Sequence, residues 1–80
     1  MDEFLLVNYP QTRQLRINDI LQGWTNMVLR LEAGTYEVTL TGRQDFSPDV
    51  QTVTLRYTAP TLPAELTFHR LPPSAIVPWA

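Results

Sequence analysis

Residues 31–40, LEAGTYEVTL, place a glycine in front of a strict alternation of polar and apolar side chains. From Gly34 onward, Tyr36, Val38 and Leu40 alternate with Thr35, Glu37, Thr39 and Thr41, the period-two pattern of a strand with one buried face. On this reading Gly34 ends one strand in a tight turn, and the next strand re-enters the core directly after it. The same logic holds downstream in residues 51–57, QTVTLRY, where Val53, Leu55 and Tyr57 alternate with Thr52, Thr54 and Arg56, and threonine suits a pleated surface. Between the two lies TGRQDFSPD, rich in turn formers, with Gly42 free to take positive φ and Pro48 restricting the residue before it. The pair reads as antiparallel strands joined by a long loop.

Upstream, QLRIN sets Leu15 and Ile17 on one face, and MVLRL groups Met27, Leu29 and Leu31 against Val28 and Arg30. NDILQGWTN is expected to join these two strands as a connection, with a turn at Asn18-Asp19 and a second break at Gly23. FLLVN reads as a first strand and ELTFH as a last one. No window of eleven or more residues carries a 3.6-residue apolar period between its breakers, so helix is not expected. Short strands separated by frequent turns predict an all-β fold, a small antiparallel β-sandwich of about six to seven strands. Its two sheets would bury Leu15, Ile17, Leu29, Leu31, Tyr36, Val38, Leu40, Val53 and Leu55, and a one-residue slip would expose the whole set.

The 80 residues suffice for one domain, and a chain of that size buries only roughly 60% of the surface it exposes when unfolded. There is no cysteine to add a disulfide, and His69 is the only histidine, so structural zinc is not expected and the fold rests on packing. The formal charge is -2, and the six arginines (13, 16, 30, 43, 56 and 70) are spread along the sequence, which gives no footprint of a nucleic-acid binder. The opening MDEFLLVNYP has two acids where a signal peptide carries positive charge, and no apolar run approaches the ~20 residues that span a bilayer. No membrane insertion is expected, and the compartment is left open. Residues 1–71 are expected to form the sandwich, with an extra C-terminal strand at about 64–71. Five of the seven prolines fall after Thr58, three of them in residues 72–80, which are read as a Pro-rich extended tail.

The order of these marks resembles a PEGA domain, a short β-sandwich module of bacterial and archaeal proteins. The places that carry the resemblance are Pro10, Asn18-Asp19, Gly23, Thr25-Asn26, Gly34, Tyr36, Phe46 and Pro48, over residues 4–57. The LxxGxYxV part of the pattern is shared with transthyretin-like and fibronectin-like sandwiches. The resemblance implies an immunoglobulin-like sandwich serving as a non-catalytic part of a larger or surface-associated protein.

Few constellations suggest chemistry. His69, in ELTFHRL, has no marked nucleophile nearby and reads as a rim histidine. Asp45 and Asp49 could offer oxygens to calcium, but their spacing fits no dedicated loop. Carboxylate pairs drawn from Glu32, Glu37, Asp45 and Glu65 carry no specific signal. No glycine-rich phosphate loop occurs, and neither a cofactor nor a metal is expected.

The aromatic residues say more. Trp24 in a turn region, Phe46 in the long loop, and Ile76, Val77 and Trp79 in the apolar SAIVPWA tail are the candidates for an interaction surface. The expected function is a non-catalytic protein-interaction or structural module that recruits a partner protein, or a second copy, by strand addition. The alternative is a carbohydrate-binding module that stacks sugars on Trp24, Tyr9 or Phe46.

Overall fold

The alternation after Gly34 forms a seven-residue strand at the centre of the larger sheet. In the computed structural model, which describes residues 2–72, the strands are β1 (Asp2–Asn8), β2 (Gln14–Ile17), β3 (Ile20–Trp24), β4 (Leu29–Glu32), β5 (Gly34–Leu40), β6 (Phe46–Ser47), β7 (Gln51–Leu55), β8 (Ala64–Thr67) and β9 (His69–Arg70). One sheet has the order β4-β1-β8, the other β3-β2-β5-β7, and β6 and β9 form a separate pair. The fold is all-β, with the sheets packed as in a sandwich. Its pairings are antiparallel except β1 with β8, which is parallel.

The core comes from inward residues of both sheets. In β1 the period-two rule places Glu3, Leu5 and Val7 inside, and Tyr9 follows just beyond the strand. Leu15 and Ile17 of β2, Val38 and Leu40 of β5, and Leu55 of β7 face them, joined by Phe46 and Phe68. Leu29, Leu31, Tyr36 and Val53, expected at the centre, lie half-buried at its margin, because β4 is an edge strand and the N-terminal part of β5 overhangs the core.

The turn at Gly34 is a corner between sheets, since β4 and β5 belong to different ones. The Tyr36 side chain folds back along Gly34 and its hydroxyl donates to the Glu32 carbonyl at 2.7 Å. This pins the corner in the manner of the tyrosine corners of other sandwiches. A glycine and an aromatic two residues apart are thus two parts of one device.

Three expectations change. Residues 20–24, read as part of a connection, form the edge strand β3, which hairpins with β2 through Asn18 and Asp19 at φ 50° and 66°. Two successive positive φ values define the type I′ turn, which short polar side chains tolerate and which matches the twist of a two-residue hairpin. Met27 and Val28 precede the strand at Leu29 and are exposed. Finally, the C-terminal strand is broken at Phe68. The Phe68 N–H closes the β1–β8 ladder on the Asn8 carbonyl at 3.0 Å while its ring turns inward, and β9 then pairs with β6.

Polar groups fasten the connection between β1 and β2. Thr25, wholly buried, accepts from the Arg13 N–H and donates to the Gln11 carbonyl, both at 2.8 Å. The Asn26 side chain bonds both backbone groups of Tyr9, its Nδ2 donating to the carbonyl at 2.8 Å and its Oδ1 accepting from the N–H at 3.2 Å. Backbone groups that have left a ladder are in this way satisfied by side chains. The same loop carries Arg13, whose guanidinium reaches both oxygens of Asp45 at 2.7 and 3.3 Å and lies 5.1 Å from the centre of the Tyr9 ring.

Candidate functional site

Strand β3 is the feature that packing within the described residues leaves incomplete. It lies at the edge of the four-stranded sheet, bonded to β2 on one side only. The hydrogen-bond alternation shows which of its backbone groups face outward. Asn18 N–H donates to Glu37 O and Thr41 N–H to Gln14 O, so Asn18, Arg16 and Gln14 direct their backbone groups toward β5. Their partners across the hairpin, Leu21 opposite Arg16 and Trp24 opposite Gln14, are in non-hydrogen-bonded pairs. The N–H and C=O of Leu21 and of Trp24 therefore point away from the sheet.

Between them, Gln22 and Gly23 oppose the single residue Leu15, a bulge that Gly23 makes at φ 78°. A side chain at Gly23 would be strained. A Cβ there would lie 2.7 Å from Leu29 Cδ2 on the facing sheet, and the backbone conformation is one that side chains resist. The bulge thus seats β3 against β4 while the outer side of β3 stays open.

Ile20, Leu21, Trp24, Met27 and Val28 are 46% to 60% exposed. They make up five of the eight large hydrophobic side chains exposed among the described residues, and all fall in the stretch 20–29, which contains no charged residue. Edge strands are normally blunted by charge or proline. By contrast, β4 carries Arg30 and Glu32, β8 carries Glu65, and β7 shows threonines at its exposed positions.

Of the candidate interaction residues, Trp24 therefore sits on an open, apolar edge. Phe46 is placed differently, at 2% exposure, edge-on to Tyr9 and Phe68 with ring centres 6.4 and 5.7 Å apart. It is a core residue and presents no surface; Tyr9, at 5% exposure, is likewise unable to stack a sugar. Ile76, Val77 and Trp79 lie outside the described residues. Leu21, Ile20, Met27 and Val28 did not stand out in the sequence, although the Asn-Asp turn ahead of them is a hairpin signal.

A second feature is an open groove of about 460 Å³ where β8 and β9 meet the loop after β1. His69 and Arg70 form its polar side, Phe68 and Pro10 its apolar side. The side chain of Asn26 is already committed to the Tyr9 backbone and that of Asn8 to Glu65. Among the described residues that line it, the Thr67 hydroxyl has no hydrogen bond to His69. Asp45 and Asp49, weighed above as oxygen donors to calcium, are engaged by Arg13 and Gln44 respectively. Among the described residues no cluster of three metal-ligating side chains occurs.

Two carboxylates are held below their ordinary pKa. Glu3 accepts from the N–H of Thr58 at 2.9 Å and from its hydroxyl at 2.7 Å, and these bonds favour the ionised form. Asp45 is lowered chiefly by its hydrogen bonds from Arg13, against the opposing effect of burial. Depressed carboxylates contribute stability that is present above their unfolded values and lost as pH falls through the folded ones. Thermal stability should accordingly be level near neutrality and decline with acidification below about pH 4.5, the ordinary value for Glu3. In Glu3→Gln and Asp45→Asn that decline should be shallower. A wild-type melting temperature unchanged down to pH 3 would show that neither carboxylate is linked to folding.

No known protein family, curated protein or solved structure matches this chain.

Proposed function

We propose that this chain is a non-catalytic protein-interaction or structural β-sandwich whose working surface is the edge of β3. One observation carries the reading: an edge strand with outward backbone donors and acceptors bears three of the eight exposed large hydrophobic side chains among the described residues, two more follow before β4, and no charge lies between positions 20 and 29. Backbone groups supply affinity in strand addition, and side chains on the two faces supply selectivity. The resemblance to PEGA domains, modules that usually serve as non-catalytic parts of larger proteins, supports the same reading. The carbohydrate-binding alternative rests on Trp24 alone.

The test is co-precipitation with immobilised protein from a lysate of the source cells doped with soluble copies of the chain. Wild type is expected to retain a polypeptide, and Leu21→Lys, at a site 54% exposed, is expected to lose it while keeping the wild-type melt. If wild type retains no partner and also stays monomeric up to about 1 mM, or if Leu21→Lys retains the same polypeptide as well as wild type does, the β3 reading is wrong.

A further inference from the structure

Building on the β3 reading, we infer that the partner strand is β3 of a second copy, paired antiparallel about a two-fold axis that passes between Gln22 and Gly23. The edge is self-complementary. Its two outward-facing residues, Leu21 and Trp24, lie symmetrically on either side of the bulge. A two-fold there sets Leu21 of one copy opposite Trp24 of the other, twice. Each pairing joins an outward N–H and C=O to their counterparts, as in the narrow pairs of an antiparallel ladder. The bulges meet at the axis, where each Gln22 faces a Gly23 without a side chain. An isologous contact of this kind closes on itself and gives a dimer instead of a filament.

The side chains agree with that register. Cross-strand partners share a face of the sheet, and Leu21 and Trp24 stand opposite Arg16 and Gln14, whose neighbours Leu15 and Ile17 are buried. Leu21 and Trp24 are thus both on the outer face, and the two-fold creates two Leu–Trp contacts there. Charge also favours a copy of the same chain. With no charged residue between positions 20 and 29, self-pairing brings no like charges together. The nearest cationic neighbour, Arg16, is one strand further in, so the two copies of Arg16 are three strand spacings apart, about 14 Å. At that distance physiological salt screens them. The result is one continuous eight-stranded sheet of order β7-β5-β2-β3-β3-β2-β5-β7. A contact made by one short strand from each copy is small beside the roughly 1,600 Å² of standard interfaces, so weak association is expected and is sought between about 10 µM and 1 mM.

Sedimentation equilibrium of the full chain across that range tests the inference. Wild type is expected to pass from monomer to dimer. Leu21→Lys and Trp24→Glu, each at a site about half exposed, should each weaken dimerisation at least about tenfold, while Thr52→Lys on the opposite edge strand β7 should not. Mixing the two weakened variants is the register-specific arm. In the mixed dimer the lysine introduced at position 21 faces the glutamate introduced at position 24, and the other Leu–Trp contact is intact, so association should return.

A monomer up to 1 mM, or weakening by Thr52→Lys equal to that by Leu21→Lys, would overturn the inference. So would a mixture that associates no better than its components. Should wild type stay monomeric and yet retain a different polypeptide that Leu21→Lys loses, only the identity of the partner as a second copy is refuted and the β3 interaction surface stands.

Discussion

Val38→Asp is expected to leave the chain unfolded at neutral pH and 25 °C. Val38 is fully buried in β5, paired with Ile17 of β2 on one side and Gln51 of β7 on the other, and the core beyond it is apolar. A carboxylate there finds no cation, and an uncompensated buried charge costs about 3–5 kcal/mol. Loss of the valine packing adds to that cost. An 80-residue domain has a total stability of only about 4–12 kcal/mol. Burial would also raise the pKa of the introduced acid, so any residual folding should increase as pH is lowered toward 5.

Thr39→Asp, one residue along, should stay folded. Thr39 is opposite Arg16, and its hydroxyl donates to the Asp49 carbonyl, so the change loses one hydrogen bond worth about 1 kcal/mol. Circular dichroism melts of the two variants check this. Equal behaviour would mean that the period-two pattern of β5 does not describe its burial.

Elements that bury one face were legible in the sequence for a physical reason. In β2, β5 and β7 the core side selects every second residue, so Leu15 and Ile17, Val38 and Leu40, and Val53 and Leu55 announce their strands. Strand β3 did not announce itself because no such selection acts on it. Its side chains are exposed or only half-buried on both faces, and the bulge at Gly23 breaks the period. What remained was the Asn18-Asp19 pair, short polar residues that tolerate the two positive φ values of a two-residue hairpin turn. The candidate site was hidden for that same reason, since exposed side chains show no pattern imposed by a core. Trp24 stands out in the sequence only as an aromatic residue; the outward direction of the Leu21 backbone follows only from Arg16 facing β5.

Long-range closures were equally illegible. The parallel pairing of β1 with β8 joins Leu5 to Ala64 and Asn8 to Thr67, and neither segment contains a mark of the other. Arg13 and Asp45 are separated by 32 residues, yet their side chains are only 16% and 13% exposed and meet at 2.7 Å. In the two-residue strands β6 and β9 a period cannot be expressed at all. That is why Phe46 reads as a loop aromatic in the sequence and stands as a core residue in the fold.

Phe46 and Trp24 should respond to truncation in opposite ways. Phe46→Ala removes a ring enclosed by Tyr9 and Phe68, with the Arg13 guanidinium 5.9 Å from its centre. A buried phenylalanine cut to alanine costs about 3–5 kcal/mol, lost transfer energy and residual cavity together. For a domain of this size each kcal/mol lowers the melting temperature by about 4–8 °C, so a fall of at least about 12 °C is expected. Trp24→Ala, at a site 46% exposed, should move the melt by no more than a few degrees. Its effect should be on association instead. The loss at Phe46 should also be local before it is global, because that ring joins the β6–β9 pair to the rest of the core. Amide exchange should accelerate first at Phe46 and Ser47 and at His69 and Arg70, whose ladder the ring supports. If Phe46→Ala melts with wild type while Trp24→Ala falls sharply, the two residues have been assigned to each other's roles. The loop aromatic would then be the surface and the edge aromatic the core.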